Sequence, residues 1–108
     1  MIYTISQLTG IIAPIAKKHD LKAVYLFGSY ARNEATECSD IDLLIDTEGT
    51  AVCGLFALGA LYCEFEEALQ KKIDLITVSA LEQRAQMPSE ELFRENVKRE
   101  RVEIYAAA

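Results

Sequence analysis

Apolar and polar positions follow two rhythms along this chain, and the points where the rhythm changes mark the expected elements. Near the start, Ile5, Leu8, Ile12 and Ile15, with Ile11 beside them, fall on one helical face. Thr4-Ile5-Ser6-Gln7 leads into them as a capping box, with Thr4 as N-cap and Gln7 at the third helical position. Pro14 lies inside this stretch and is expected to bend the helix rather than end it. The charged turn Lys17-Lys18-His19-Asp20 closes the element, and His19 suits a helix C-terminus, where the macrodipole favours a cation. Ala23 to Phe27 form a short, nearly continuous apolar run, expected as a buried strand. Gly28 stops it, and Ser29 to Asn33 read as a tight turn into a short helical segment. After polar residues 33 to 39, Ile41 to Asp46 read as a second strand, followed by a polar loop from Thr47 to Thr50.

Ala51 to Gln70 is the longest helical candidate, with Leu55, Leu58, Leu61, Tyr62, Phe65 and Leu69 as its inward stripe. Its first half is also apolar on the other side, through Phe56, Ala57, Ala60 and Cys63. Two readings stay open there: a helix buried all round, or an uncovered patch that awaits a partner. Lys72 to Val78 read as a third strand, Ser79 with Glu82 as a capping box for a short helix, and Pro88-Ser89 as the start of a last helix. Glu90 and Glu91 in its first turn and Lys98 and Arg99 near its end agree with the helix dipole. Such alternation predicts an α/β (α+β) fold, a small sheet packed with helices. The link between the first two strands is too short for a parallel crossover, so they are expected antiparallel and the sheet mixed.

Composition narrows the class. At 108 residues and 51% apolar, the chain is expected to form one domain over 1–108 with one core. No apolar run approaches a membrane span, and MIYTISQLTG has no basic region or cleavage site of an export signal. The net charge of −6 argues against direct binding of long nucleic acid, although small nucleotides carried in with metal remain compatible. Cys38, Cys53 and Cys63 form no CxxC pair and are expected as reduced thiols in a cytoplasmic protein. His19, the only histidine, has no neighbouring ligand in sequence, so zinc is not expected.

The candidate chemistry lies in Gly28-Ser29-Tyr30-Ala31-Arg32 and Ser39-Asp40-Ile41-Asp42-Leu43. Asp40 and Asp42, two apart on an extended segment, point to one face with Cα atoms about 6.6 Å apart. At roughly 4 Å and an effective dielectric of 20, two such charges repel by about 4 kcal/mol, which a divalent cation would relieve. Asp74 interrupts the apolar run Ile73-Asp74-Leu75-Ile76 and joins them if its strand lies beside the second. Three carboxylates suit magnesium or manganese, in the two-metal arrangement used for displacement at phosphorus. Gly28 at a strand end lets the backbone approach a phosphate, Ser29 offers a hydroxyl, and Arg32, three residues on, can brace a phosphate oxygen.

These two segments resemble the signature of minimal nucleotidyltransferases of the DNA polymerase β superfamily. More closely, nearly the whole chain, from the first helix to Val102-Glu103-Ile104-Tyr105, resembles the MNT antitoxins of HEPN–MNT toxin–antitoxin pairs. The resemblance implies a nucleotidyltransferase fold, magnesium, ATP as substrate, and transfer of AMP (AMPylation) to a hydroxyl, a tyrosine of the partner HEPN toxin. It implies a hetero-oligomer with that toxin. Carried over by position, Gly28, Ser29 and Arg32 would hold triphosphate, Asp40 and Asp42 would bind both metals, and Asp74 would complete one metal site and accept the proton of the attacking hydroxyl. The family usually has glycine where this chain has Asn33; if the position needs φ > 0, asparagine is the least costly replacement. Two other functions remain in view. One is a non-catalytic antitoxin that neutralises its toxin by binding, motivated by the apolar half of helix 51–70. The other is a small-molecule nucleotidyltransferase, whose relatives carry extra helical domains that this chain has no room for.

Overall fold

A computed structural model of the protein describes residues 2–48, 54–84 and 88–107, with the side chains of 54, 55, 84 and 88–90 left aside. Positions 49 and 50 of the expected loop, the expected helix start over 51–53 with Cys53, and the side chains of Leu55 and Glu90 therefore lie outside the described residues. The elements run α1 (Ile5–Lys18), β1 (Ala23–Phe27), α2 (Gly28–Ala31), β2 (Ile41–Asp46), α3 (Gly54–Leu69), β3 (Ile73–Thr77), α4 (Val78–Arg84), α5 (Pro88–Glu100) and β4 (Val102–Ala106).

Local chemistry sets the ends of these elements. The Thr4 side chain accepts from the Gln7 backbone N–H at 3.1 Å, and the Gln7 side chain accepts from the Thr4 N–H at 2.8 Å, so the capping box forms at both arms. Helix α1 continues through Pro14 to a His19 C-cap, beyond which Asp20 turns left-handed (φ 55). The Asp20 N–H reaches the Lys17 carbonyl at 3.1 Å and the Leu21 N–H the Ala16 carbonyl at 3.0 Å. These two bonds form a Schellman motif, with aspartate in the place glycine usually takes. The short helix α2 ends in the same way: Asn33 (φ 61) donates to the Tyr30 carbonyl at 3.3 Å and Glu34 to the Ser29 carbonyl at 2.9 Å. Asn33 thus occupies the left-handed position for which asparagine is tolerated. One cap differs from expectation. Helix α4 starts at Val78, and the Thr77 hydroxyl, not Ser79, accepts from the Ala80 N–H at 3.0 Å. The Thr77 hydroxyl caps from the last residue of β3, which leaves Ser79 inside the first turn.

The sheet has strand order β3-β2-β1-β4. β1 is antiparallel to β2 and β4, and β2 is parallel to β3, so the sheet is mixed. Sequence periodicity missed β4: after a highly charged helix, Val102 and Ile104 alternate with Glu103 over too few residues to stand out. Its pairing with β1 supplies the stability that the segment lacks alone.

The strands alternate their side chains between two unequal cores. On one face, Val24, Leu26, Ile41, Leu43, Ile45, Ile73 and Ile104 pack against Leu8, Ile12 and Ala16 of α1 and Leu61, Phe65 and Leu69 of α3. Tyr30 belongs to this core at 4% exposure. The other face carries a smaller cluster, in which Phe27 and Leu44 meet Leu81 of α4 and Val97 of α5, flanked by Tyr25, Ile76 and Phe93. Among the described residues no helix is long and apolar enough to cross a membrane. Of the four apolar positions expected on the outer side of α3, Ala57 instead packs against the larger core, whereas Phe56 is 97% exposed and Ala60 and Cys63 are exposed.

This division makes a direct prediction. Phe65→Ala, inside the larger core, should lower the free energy of urea unfolding by about 3–5 kcal/mol. Phe56→Ala, on the same helix, should change it by no more than about 0.5 kcal/mol. Equal losses from the two variants would show that Phe56 is covered in solution.

Candidate active site

The acidic residues gather at one end of the smaller face because of strand parity and register. Asp42 and Leu44 point to that face from β2, as do Asp74 and Ile76 from β3 and Phe27 from β1. Asp42 is the direct partner of Asp74 across the parallel pair and of Phe27 across the antiparallel one. Side-by-side strands lie about 4.8 Å apart, so two carboxylates stand abreast with no residue between them. Asp40 has the same parity but precedes β2 and is exposed.

Gly28 fits against this pair. It adopts φ 72, a conformation that glycine takes without strain. A Cβ built there would overlap the Asp42 carboxylate, with Asp42 Cγ at 3.0 Å. Glycine is therefore required twice, once for the left-handed turn out of β1 and once for the space the Asp42 side chain fills.

Four of the six residues singled out in the sequence, Gly28, Arg32, Asp42 and Asp74, line one cavity of about 300 Å³. Asp40 and Ser29 lie outside its lining. Ser29 is half-buried in α2, and its carbonyl is engaged in the Schellman bond from Glu34. The remaining wall is α5, through Phe93, Asn96, Val97 and Glu100, together with Phe27. These α5 residues share one helical stripe at spacings of three and four. That spacing was available from the sequence, but nothing local says that the stripe faces the acidic end of the sheet. Asp46 lies at the far end of β2, opposite Ala23, where its Oδ1 accepts from the Glu48 N–H at 3.0 Å.

The electrostatics follow the geometry. Burial pushes the Asp42 carboxyl up from its ordinary 3.8 to about 6; the Asp74 and Asp40 charges push the same way and Arg32 opposes them. Arg32 is itself held by two carboxylates, with Nε 3.2 Å from Glu34 Oε2 and Nη1 3.1 Å from Glu100 Oε2. Both contacts raise its pKa further. Among the described residues no three His, Cys, Asp or Glu side chains stand close enough together to hold a metal ion by themselves. The donor set is nonetheless that of a hard cation: two abutting carboxylate groups, one of them raised above its ordinary pKa by burial and by the neighbouring aspartates.

Known proteins show similar features. The family described as polymerase beta, nucleotidyltransferase matches residues 10–106. A candidate protein adenylyltransferase of Methanocaldococcus jannaschii is 41% identical over 78 residues, 71% of this chain and 81% of that protein. The protein adenylyltransferase MntA of Thermococcus cleftensis is 33% identical over 76 residues, 70% of this chain and 75% of that protein. Among solved structures, a toxin–antitoxin crystallised with AMP-PNP superposes with a TM-score of 0.70 at 20% identity, covering 92% of this chain and 73% of that one. A complex of tri-AMPylated Shewanella oneidensis HEPN toxin with its MNT antitoxin gives a TM-score of 0.61 at 17% identity, covering 96% and 74%. At these identities the two structures establish the fold.

The raised Asp42 pKa has a defined sign. A folded-state value above the unfolded one favours the protonated form on folding, so its benefit is complete below about 3.8 and is lost as pH rises through about 6. Without divalent cations, Asp42→Asn should therefore raise the thermal midpoint at pH 7.5, and the gain should shrink towards pH 4. A variant no more stable than wild type at pH 7.5 would remove the claim that Asp42 carries uncompensated charge.

Proposed function

This chain belongs to the polymerase beta, nucleotidyltransferase family, and we propose that it is an antitoxin-type protein adenylyltransferase that moves AMP from ATP to a hydroxyl of a HEPN toxin. The observation that carries the reading is the direct pairing of Asp42 with Asp74 beside a glycine whose missing Cβ makes room for the Asp42 carboxylate. A sheet gains nothing from two abutting carboxylates unless positive charge is brought to them. Relatives named protein adenylyltransferase supply the group transferred. The toxin–antitoxin complexes of the same fold supply the class of partner.

The site residues then divide the work. Asp42 and Asp74, with Asp40 at the strand entrance, would hold magnesium or manganese. Magnesium is commonly bound through one or two protein carboxylates, with phosphate oxygens and water completing its octahedron, so a ready-made cage of three is not required. The ion supplies charge neutralisation at the transferred phosphorus. Gly28 leaves the backbone bare where phosphate would approach, Ser29 sits at the start of α2, and Arg32 offers its guanidinium to triphosphate oxygens. The acceptor oxygen forms a bond to the α-phosphorus, the bond from that phosphorus to the bridging oxygen breaks, and pyrophosphate leaves. Asp74 takes the proton of the attacking hydroxyl. A toxin tyrosine is the acceptor in this reading, the span 1–108 is one minimal domain, and the protein works in the cytoplasm beside its toxin. Long nucleic acid is not its direct ligand.

The exposed side of α3 favours a second reading, neutralisation by binding alone. Phe56, Ala60 and Cys63 offer an apolar surface with no described partner.

With purified toxin and ATP labelled at the α-phosphate, Asp42→Ala should reduce label transfer by at least about 100-fold, and chelation of divalent ions should stop transfer by wild type. Transfer at the wild-type rate by Asp42→Ala would discard the catalytic role. If Asp40→Ala/Asp42→Ala still neutralises the toxin in cells, binding alone accounts for the antitoxin effect.

A further inference from the structure

The last residue of α5, Glu100, faces the same cavity as Arg32, Asp42 and Asp74. Its Oε2 lies 3.1 Å from Arg32 Nη1, whereas Glu34, which takes Nε at 3.2 Å, is not among the lining residues. Glu34 thus holds the guanidinium from outside and Glu100 holds it from within. Among the described lining residues, three carboxylates face one cation, and that cation is already paired on its inward edge. Any polyphosphate that enters meets a net negative wall.

Helix electrostatics do not account for Glu100. The C-terminal turn of a helix carries partial negative charge and favours the cations that Lys98 and Arg99 supply there. A carboxylate in that turn is disfavoured locally, and it pairs instead with Arg32.

We propose that Glu100 is an internal competitor for Arg32: its carboxylate takes the guanidinium edge that a phosphate group would otherwise take, and so it tunes nucleotide affinity. The inference rests on the reading of Arg32 as a phosphate contact given above. A guanidinium presents its donors in one planar fork, so carboxylate and phosphate compete for the same N–H groups. With phosphate bound, Glu100 turns away to solvent, which is open to it because the pair is partly exposed already. Pairs of this exposure are weak, so the competition is worth only about two- to fivefold in affinity, enough to tune binding without blocking it. Glu100 acts through Arg32 and is a positioning residue, not a catalytic one.

Titration calorimetry at fixed ionic strength tests this with two probes, ATP and inorganic tripolyphosphate, on the full chain. Glu100→Gln should bind both about two- to fivefold more tightly than wild type, and Glu100→Asp should return towards the wild-type value. In the Arg32→Gln background, Glu100→Gln should bring no gain. In turnover, Glu100→Gln should lower KM for ATP more than it changes kcat, a split that a loosened fold would not produce. Unchanged or weaker binding by Glu100→Gln overturns the proposal. So does an equal gain in the Arg32→Gln background, which would mean simple removal of negative charge. If wild type binds tripolyphosphate but not ATP, the nucleotide reading fails while the competition between Glu100 and phosphate is still measured.

Discussion

Two aspartates abreast on neighbouring strands are the constraint around which this fold is arranged. Asp42 and Asp74 are register partners in the parallel pair, and both carboxylates lie on the same face of the sheet. Their repulsion is tolerated because the surrounding apolar contacts over-determine the register. Ile41, Leu43 and Ile45 are sunk in the larger core on the opposite face, and Leu44 is fixed in the smaller one. The sheet cannot relieve the charge by sliding without pulling these side chains out of their contacts, each fully buried one worth about 1.5–3 kcal/mol. The hydrophobic effect thus holds an electrostatically unfavourable pair in place, which is how strain persists at functional sites.

The two faces of the sheet have divided their tasks. The larger core, built by α1 and α3, supplies most of the apolar burial and contains none of the acidic site. The smaller face gives one end to Leu44 and Leu81 and leaves its other end open to the cavity. α5 bridges the two regions, since Val97 packs in the smaller core and, with Asn96 and Glu100 on the same stripe, also lines the cavity. A helix that serves as packing and as wall at once ties access to the acidic pair to the stability of the smaller core.

Features that rest on a few adjacent residues were legible in the sequence. The capping box at Thr4 and Gln7 is local chemistry, and so is the left-handed bend at Asn33. The antiparallel pairing of β1 with β2 followed from a link too short to cross over. Features that depend on neighbours were harder to read. β4 exists because β1 offers it an edge, and Thr77 takes the cap of α4 because the strand ends where its hydroxyl reaches first. Asp74 could be recognised as out of place in an apolar run, but its position beside Asp42 required the parallel register. The α5 stripe and the clasp of Glu100 on Arg32 join segments 68 residues apart, a separation over which periodicity carries no information.

The parity of β3 has a consequence for how such chains diversify. A strand displays successive residues on opposite sides, so adding or deleting one residue ahead of Asp74 within β3 would exchange its two sides. The carboxylate would enter the oily interior and Leu75 would face the cavity. The crossover through α3 is under no such rule, because a helix end or loop absorbs a change in length. Natural length variation should therefore collect between Asp46 and Gly54 and avoid the few residues around Ile73, so that an alignment gap in that short stretch would identify a descendant that has abandoned the chemistry.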